Sequence, residues 1–359
     1  VDRDDPLHVA RSKETTALWW LRARALNGAM LVFCLTGRRR MKLLKCLFIA
    51  IIFLAGDHAH AAGFRLLDIP IEGGQREIKS ALWYPCDQPP TEVKAGPFKI
   101  MVARDCPLPT GRFPLVVISH GWGGTFLGHH DVAQTLADAG FIVAAINHGD
   151  SSTGGPRNED FSVFIERPAD IKRTIDFLLG AWPDAAKVDA ERIGLFGFSR
   201  GGYTGLVVVG ARPLFGRSPK VCEGKETSIC QQARKGELPE PVHDARIKAA
   251  VIADPLSVFF TPQSFSAVRV PIQLWGSERG GDGVTLDSVM AISRQLPGPV
   301  EFLTVPGSQH FSFMPPCSAE LAKLAPEICS DTTGFDRAAF HQEMNTRILA
   351  FFRDHLLDR

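Results

Sequence analysis

Two runs of residues, FPLVVIS at 113–119 and FIVAAI at 141–146, are apolar without alternation, and a stretch of helical spacing at 131–139 separates them. A strand that is apolar at every position must be buried on both faces, and a sheet covered by helices on each side provides that burial. The rhythm continues with a helix at 170–179, the strand RIGLF at 192–196, a helix after Ser199 and strands at 247–253 and 271–275. A helix at 286–296, a strand at 300–305 and a helix at 336–357 complete it. Such alternation predicts an α/β fold, a mostly parallel central sheet with crossover helices on both faces. Upstream, RLLDIPI and EIKSALWYP flank the turn signal EGGQ at 72–75, which predicts an N-terminal antiparallel hairpin. Residues 86–106 read as a Pro-rich loop. Residues 211–246, with their Pro, Gly and charges, read as an insertion and candidate lid within a single domain at 62–359.

The first sixty residues follow another logic. Met41, Lys42 and Lys45 make a basic start, residues 46–56 are apolar, and Ala59-His60-Ala61 has the small-x-small form of a cleavage site. Residues 41–61 therefore read as a signal peptide, and the protein as exported to the periplasm or the extracellular space. The apolar stretch falls well short of the ~20 residues a spanning helix needs, so no stable membrane span is expected. Residues 1–40 precede that internal methionine and read as a non-native upstream extension. Without residues 1–61 the chain holds 30 basic and 34 acidic residues, formally −4, with no basic stripe to bind nucleic acid.

Export also suits the cysteines. Six lie beyond residue 61, as three near neighbours: Cys86 with Cys106, Cys222 with Cys230, and Cys317 with Cys329. Fifteen pairings are possible; the three local ones are expected, each stapling a loop in an oxidising compartment. No CxxC or HExxH spacing occurs, and His129-His130 has no partner at ligand spacing, so no metal is expected.

In an open α/β sheet, ligands bind beyond the carboxyl ends of the strands. The polar residues placed there are His120, His148, Asp150, Ser199, Asp254, Glu278, Asp282 and His310. GFSRGG at 197–202 has the form G-x-S-x-G, follows the RIGLF strand and precedes a helix, the context of a nucleophile elbow. Ser199 needs a base, which in this architecture comes last in chain order, and His310 follows the final strand. A carboxylate between the two must orient the imidazole. Asp282, after the penultimate strand, is favoured, with Asp254, one strand earlier, as the alternative. Oxyanion donors are expected from the backbone N–H groups of Arg200 and of Trp122 in the glycine-rich SHGWGG at 119–124.

Through Ser119-His120-Gly121, GFIVAA at 140–145, GFSRGG and Gly307-Ser308-Gln309-His310, the chain resembles the α/β-hydrolase superfamily. Within it, the resemblance is to plasma-type platelet-activating-factor acetylhydrolases and bacterial dienelactone-hydrolase-like proteins, over most of the chain from residue 82. The resemblance implies an α/β-hydrolase fold and a cofactor-free serine esterase acting on a small-molecule or lipid acyl ester. In the acetylhydrolases the acid follows the strand ending here at Asp254; in dienelactone hydrolases it follows the strand ending near Glu278. Both aspartates thus stay open. Dienelactone hydrolases proper use a cysteine nucleophile, so with Ser199 in place their lactone activity is not carried over. An acyltransferase or peptidase on the same fold, or a binding protein that has lost catalysis, are the alternatives.

Overall fold

The structure, a computed structural model, describes residues 61–71, 73–152, 158–216 and 219–357. The expectations of an upstream extension at 1–40 and of a signal peptide lie, except for Ala61, outside the described residues. A ten-stranded sheet runs in the order β10-β9-β8-β7-β5-β6-β2-β1-β4-β3. β5 (Phe113–Ser119), β6 (Ile142–Ile146), β7 (Val188–Phe198), β8 (Ile247–Ala253), β9 (Ile272–Ser277) and β10 (Val300–Val305) run parallel to one another. β1 (Ala61–Ile69) and β2 (Ile78–Cys86) are the expected antiparallel hairpin, joined to β6 through β2.

Each parallel strand feeds two cores. On β5, Leu115 and Val117 face one side and Val116 and Ile118 the other. The first side is covered by α2 (Val163–Leu179), α3 (Arg200–Val208) and α5 (Leu286–Gln295), through residues such as Ile171, Leu206 and Val289. The second is covered by α1 (His130–Asp138) and α8 (Arg337–Leu356), through Leu136, Met344 and Phe352. Burial on both faces is what the unbroken apolar runs require.

Two elements differ from expectation. The segment read as a Pro-rich loop holds a hairpin, β3 (Thr91–Ala95) and β4 (Phe98–Arg104), turned at Gly96 with φ 55°. Phe98, Ile100 and Val102 are buried and alternate with exposed Lys99 and Met101, the pattern of a half-buried strand. Helix α2 begins at Val163, seven residues before the expected start, and carries Pro168 inside it. The insertion at 211–246 contains α4 (Ser228–Lys235); two short helices, α6 (Ala319–Leu324) and α7 (Pro326–Cys329), precede α8. Disulfides join Cys86 to Cys106, Cys222 to Cys230 and Cys317 to Cys329. Among the described residues no helix is long and apolar enough to cross a membrane.

Candidate active site

β7 ends at Phe198 and α3 opens at Arg200, so one residue, Ser199, turns the chain. It does so at φ 56° and ψ −117°, a conformation that L residues rarely adopt. Its N–H donates to Ala253 O, and its carbonyl accepts from Tyr203 N and Leu256 N, all at 3.0 Å. The flanking glycines are a steric requirement. A Cβ on Gly197 would overlap Gly201 O, and one on Gly201 would overlap Ser119 O. The start of α3 is thereby seated against the end of β5, which leaves Ser199 Oγ at the carboxyl edge of the sheet.

His310 Nε2 lies 2.9 Å from Ser199 Oγ, and His310 Nδ1 lies 2.7 Å from Asp254 Oδ2. Asp254 follows β8, is fully buried and also accepts from Ser277 N (2.8 Å) and Ser277 Oγ (2.7 Å). A carboxylate with these three donors fixes the imidazole as the Nδ1–H tautomer, so Nε2 accepts the Ser199 hydroxyl proton. The loop carrying His310 is laced to the loop after β9: Gly307 N donates to Glu278 Oε2, Arg279 N to Ser308 O, and His310 N to Gly280 O. Phe198 stacks on the imidazole, with ring centroids 4.8 Å apart.

The structure sets the alternative, Asp254, rather than the favoured Asp282, against the imidazole. Asp282 sits exposed in a tight turn at φ 48° and lines the mouth of the cavity over Ser199. The turn itself explains this: Gly281 pairs with Val284, and it is the Gly281 backbone that passes His310, where an added Cβ would come within 3.2 Å of His310 Cβ.

That cavity, about 70 Å³, is bounded by Ser199, His120, Gly121, Trp122, His129 and Asp282. Arg200 opens α3, where a first-turn N–H has no partner within the helix, and Trp122 stands on the glycine loop opposite. A buried carboxylate ties these two elements. Asp150 Oδ2 accepts from Arg200 Nη1 (2.8 Å) and from Arg167 Nη1 (3.2 Å), and Arg167 Nη2 donates to His120 O. Burial alone would push the Asp150 carboxyl up; the nearby positive charge, that of Arg167 above all, holds it at about 2. The Arg200 guanidinium also lies over the rings of Phe164 (4.8 Å) and Trp122 (5.9 Å).

Beneath the loop lies a second serine, histidine and aspartate in line. His148 Nε2 is 2.9 Å from Ser119 Oγ, and His148 Nδ1 is 2.9 Å from Asp170 Oδ2. Ser119 and His148 are buried, so this array braces the strand ends and presents no nucleophile to solvent. Burial pushes Asp170 up to about 6 against the pull of Arg76, 2.5 Å away. His148 N donates to His120 Nε2 (3.2 Å), leaving His120 Nδ1–H for Gly121 O (2.5 Å). His148 and Asp150 were legible as strand-end residues; Arg167 and Asp170, on α2, had no motif to mark them. Among the described residues no group of three His, Cys, Asp or Glu could hold a metal ion.

The family model described as platelet-activating factor acetylhydrolase, isoform II, matches residues 44–156. No curated protein matches. Among solved structures, ferulic acid esterase from Streptomyces cinnamoneus is similar with a TM-score of 0.58 and 21% identity, over 85% of this chain and 92% of that one. Dienelactone hydrolase from Anabaena variabilis ATCC 29413 aligns with a TM-score of 0.47 and 15% identity, over 83% and 100% of the two chains. With its mostly parallel sheet, two helical layers and strand-turn-helix at Ser199, the chain has the α/β-hydrolase fold and resembles the esterases and hydrolases of that superfamily.

Proposed function

We propose that this protein is an exported serine esterase that hydrolyses short-chain acyl esters through Ser199, His310 and Asp254. The observation that carries the reading is the unbroken hydrogen-bonded line from Ser199 Oγ through His310 to Asp254, ending at a cavity rimmed by the glycine loop. As the Ser199 oxygen attacks the ester carbonyl, His310 Nε2 takes its proton, and Asp254 stabilises the resulting imidazolium. The carbonyl oxygen, now negative, is held by the N–H groups of Trp122 and Arg200. Collapse of the tetrahedral species breaks the C–O bond to the alcohol, which leaves with the proton from His310. Water, deprotonated by the same nitrogen, then attacks the acyl-serine and releases the acid.

A cavity of about 70 Å³ suits an acyl group of a few heavy atoms and favours short chains. The match to the acetylhydrolase family over residues 44–156 and the likeness to an esterase structure support ester hydrolysis. Three disulfides, together with the leader-like composition of residues 41–61, support export. The test is hydrolysis of p-nitrophenyl acetate, butyrate and octanoate by the wild-type chain and by Ser199→Ala. Turnover that falls from acetate to octanoate and disappears in Ser199→Ala is expected. A folded wild type no faster than Ser199→Ala on all three esters would leave a non-catalytic binding protein as the better description.

A further inference from the structure

Five histidines are fully buried among the described residues, and four have both ring nitrogens bonded. His120 bonds Gly121 O and Ser151 Oγ, His148 bonds Ser119 and Asp170, His310 bonds Ser199 and Asp254, and His341 bonds Asp131 and Ser312 O. His129 is the exception. It is 1% exposed, and neither Nδ1 nor Nε2 meets a hydrogen-bonding group among the described residues. Its position at the N-terminus of α1 offers capping as an ordinary use, but the side chain makes no capping bond. A buried polar atom left without a partner costs on the order of 1–3 kcal/mol, so an imidazole placed this way calls for a function that needs it.

Its surroundings indicate that function. The ring is held between Phe196 (centroids 5.0 Å apart) and Phe198 (5.3 Å), and Phe198 in turn stacks on His310. It lines the same cavity as Ser199. Burial lowers its pKa to about 3, so at neutral pH it is an uncharged ring with one N–H donor and one nitrogen acceptor. A carboxylate or phosphate is a poor match for a neutral ring in a cavity that also bears Asp282. A hydroxyl can donate or accept, and so is able to satisfy either ring nitrogen.

We infer that His129 binds a hydroxyl group of the substrate, and that the esters this site prefers carry that hydroxyl within a few atoms of the reacting carbonyl, in the acyl or the alcohol part. This rests on the esterase reading above. A site built to hydrogen-bond a substrate hydroxyl discriminates strongly against the analogue lacking it, because its own polar group is then left unpaired.

Two isosteric pairs test it by titration of released acid: methyl glycolate against methyl propionate for the acyl side, and 2-hydroxyethyl acetate against propyl acetate for the alcohol side. Each kcat/KM is divided by the ester's hydroxide-catalysed rate to remove intrinsic reactivity. Wild type is expected to favour the hydroxyl member of one pair by about tenfold or more. The pair that responds identifies which part carries the hydroxyl. His129→Leu should bring that ratio to near one, and His129→Gln, which keeps a donor and an acceptor, should restore part of it. A purely structural histidine would lose thermal stability in His129→Leu and leave the ratio unchanged; the binding role predicts the reverse, an unchanged or raised Tm. Equal turnover within both pairs, or a ratio that survives His129→Leu, overturns the inference and leaves the esterase reading intact. An enzyme inert on all four esters, like Ser199→Ala, overturns both.

Discussion

Asp254 and Asp282 show how much a single side chain's placement depends on the path of the chain beyond it. Both follow strands of the parallel sheet, both have positive φ (45° and 48°), and both fall between Ser199 and His310 in the sequence. What separates them is that Asp254 is buried with Ser277 bonding both its oxygens, whereas Asp282 occupies the exposed tip of a turn. Asp254→Asn is therefore expected to lower kcat on p-nitrophenyl acetate by about 10³–10⁴-fold, since an amide there favours the wrong tautomer of His310. Asp282→Asn should stay within a few-fold of wild type, measured on the same ester. A collapse of Asp282→Asn alone would reassign the acid. Ser199 and His310 were legible because local sequence alone, strand, glycine turn and helix, determines where they stand. The aspartate that meets His310 was not, because which strand-end carboxylate reaches the imidazole depends on the loop after β9, whose course no local pattern encodes. His129 was visible only as half of a histidine pair; nothing in its spacing says that its nitrogens lack partners.

At the scale of elements, the legible parts were those with one dominant period. The parallel strands and helices α1, α3, α5 and α8 lie close to the expected ranges. Helix α2 starts seven residues before the expected 170 and runs through Pro168, although an interior proline removes one backbone bond. The β3–β4 hairpin was hidden by neighbouring prolines, even though FKIMV alternates as a half-buried strand should. The insertion at 211–246 holds Phe215, which packs edge-on against Phe161 and Phe259 (4.9 Å each), and a disulfide between residues eight apart in sequence. Closing so short a loop restricts the unfolded chain by about 2–3 kcal/mol. Replacing Cys222 and Cys230 together with Ser should lower Tm by roughly 5 °C in a calorimetric scan. Because neither cysteine lines the cavity at Ser199, kcat/KM for p-nitrophenyl acetate should stay within twofold. A large loss of activity at unchanged Tm would instead make the insertion part of the site.

The whole molecule concentrates buried imidazoles near one end of its sheet, and this sets its response to acid. Burial lowers His129 to about 3 and holds His120 and His148 well below their ordinary 6.5, with His130 shifted the same way. For these groups the unfolded chain takes up protons first, so their contribution is complete above about pH 6.5 and is lost as the pH falls. Asp170 opposes them. Burial raises it to about 6 from 3.8, so between those values the folded state holds the extra proton and gains from acid. Asp150, held at about 2, contributes stability that is complete above about pH 4 and is lost only below it. Between pH 4 and 6 the histidines held neutral by burial outnumber the one aspartate that gains from acid, so net stability falls as the pH falls. Urea unfolding at pH 7, 6, 5 and 4 should thus show stability falling with acid, and His129→Leu, which removes a group protonated only in the unfolded chain, should make that fall shallower. A wild-type curve that is flat across this range would mean that these imidazoles are not held neutral. A slope unchanged in His129→Leu would place the proton uptake on the other histidines, and a burial that desolvates the ring less than its surroundings imply.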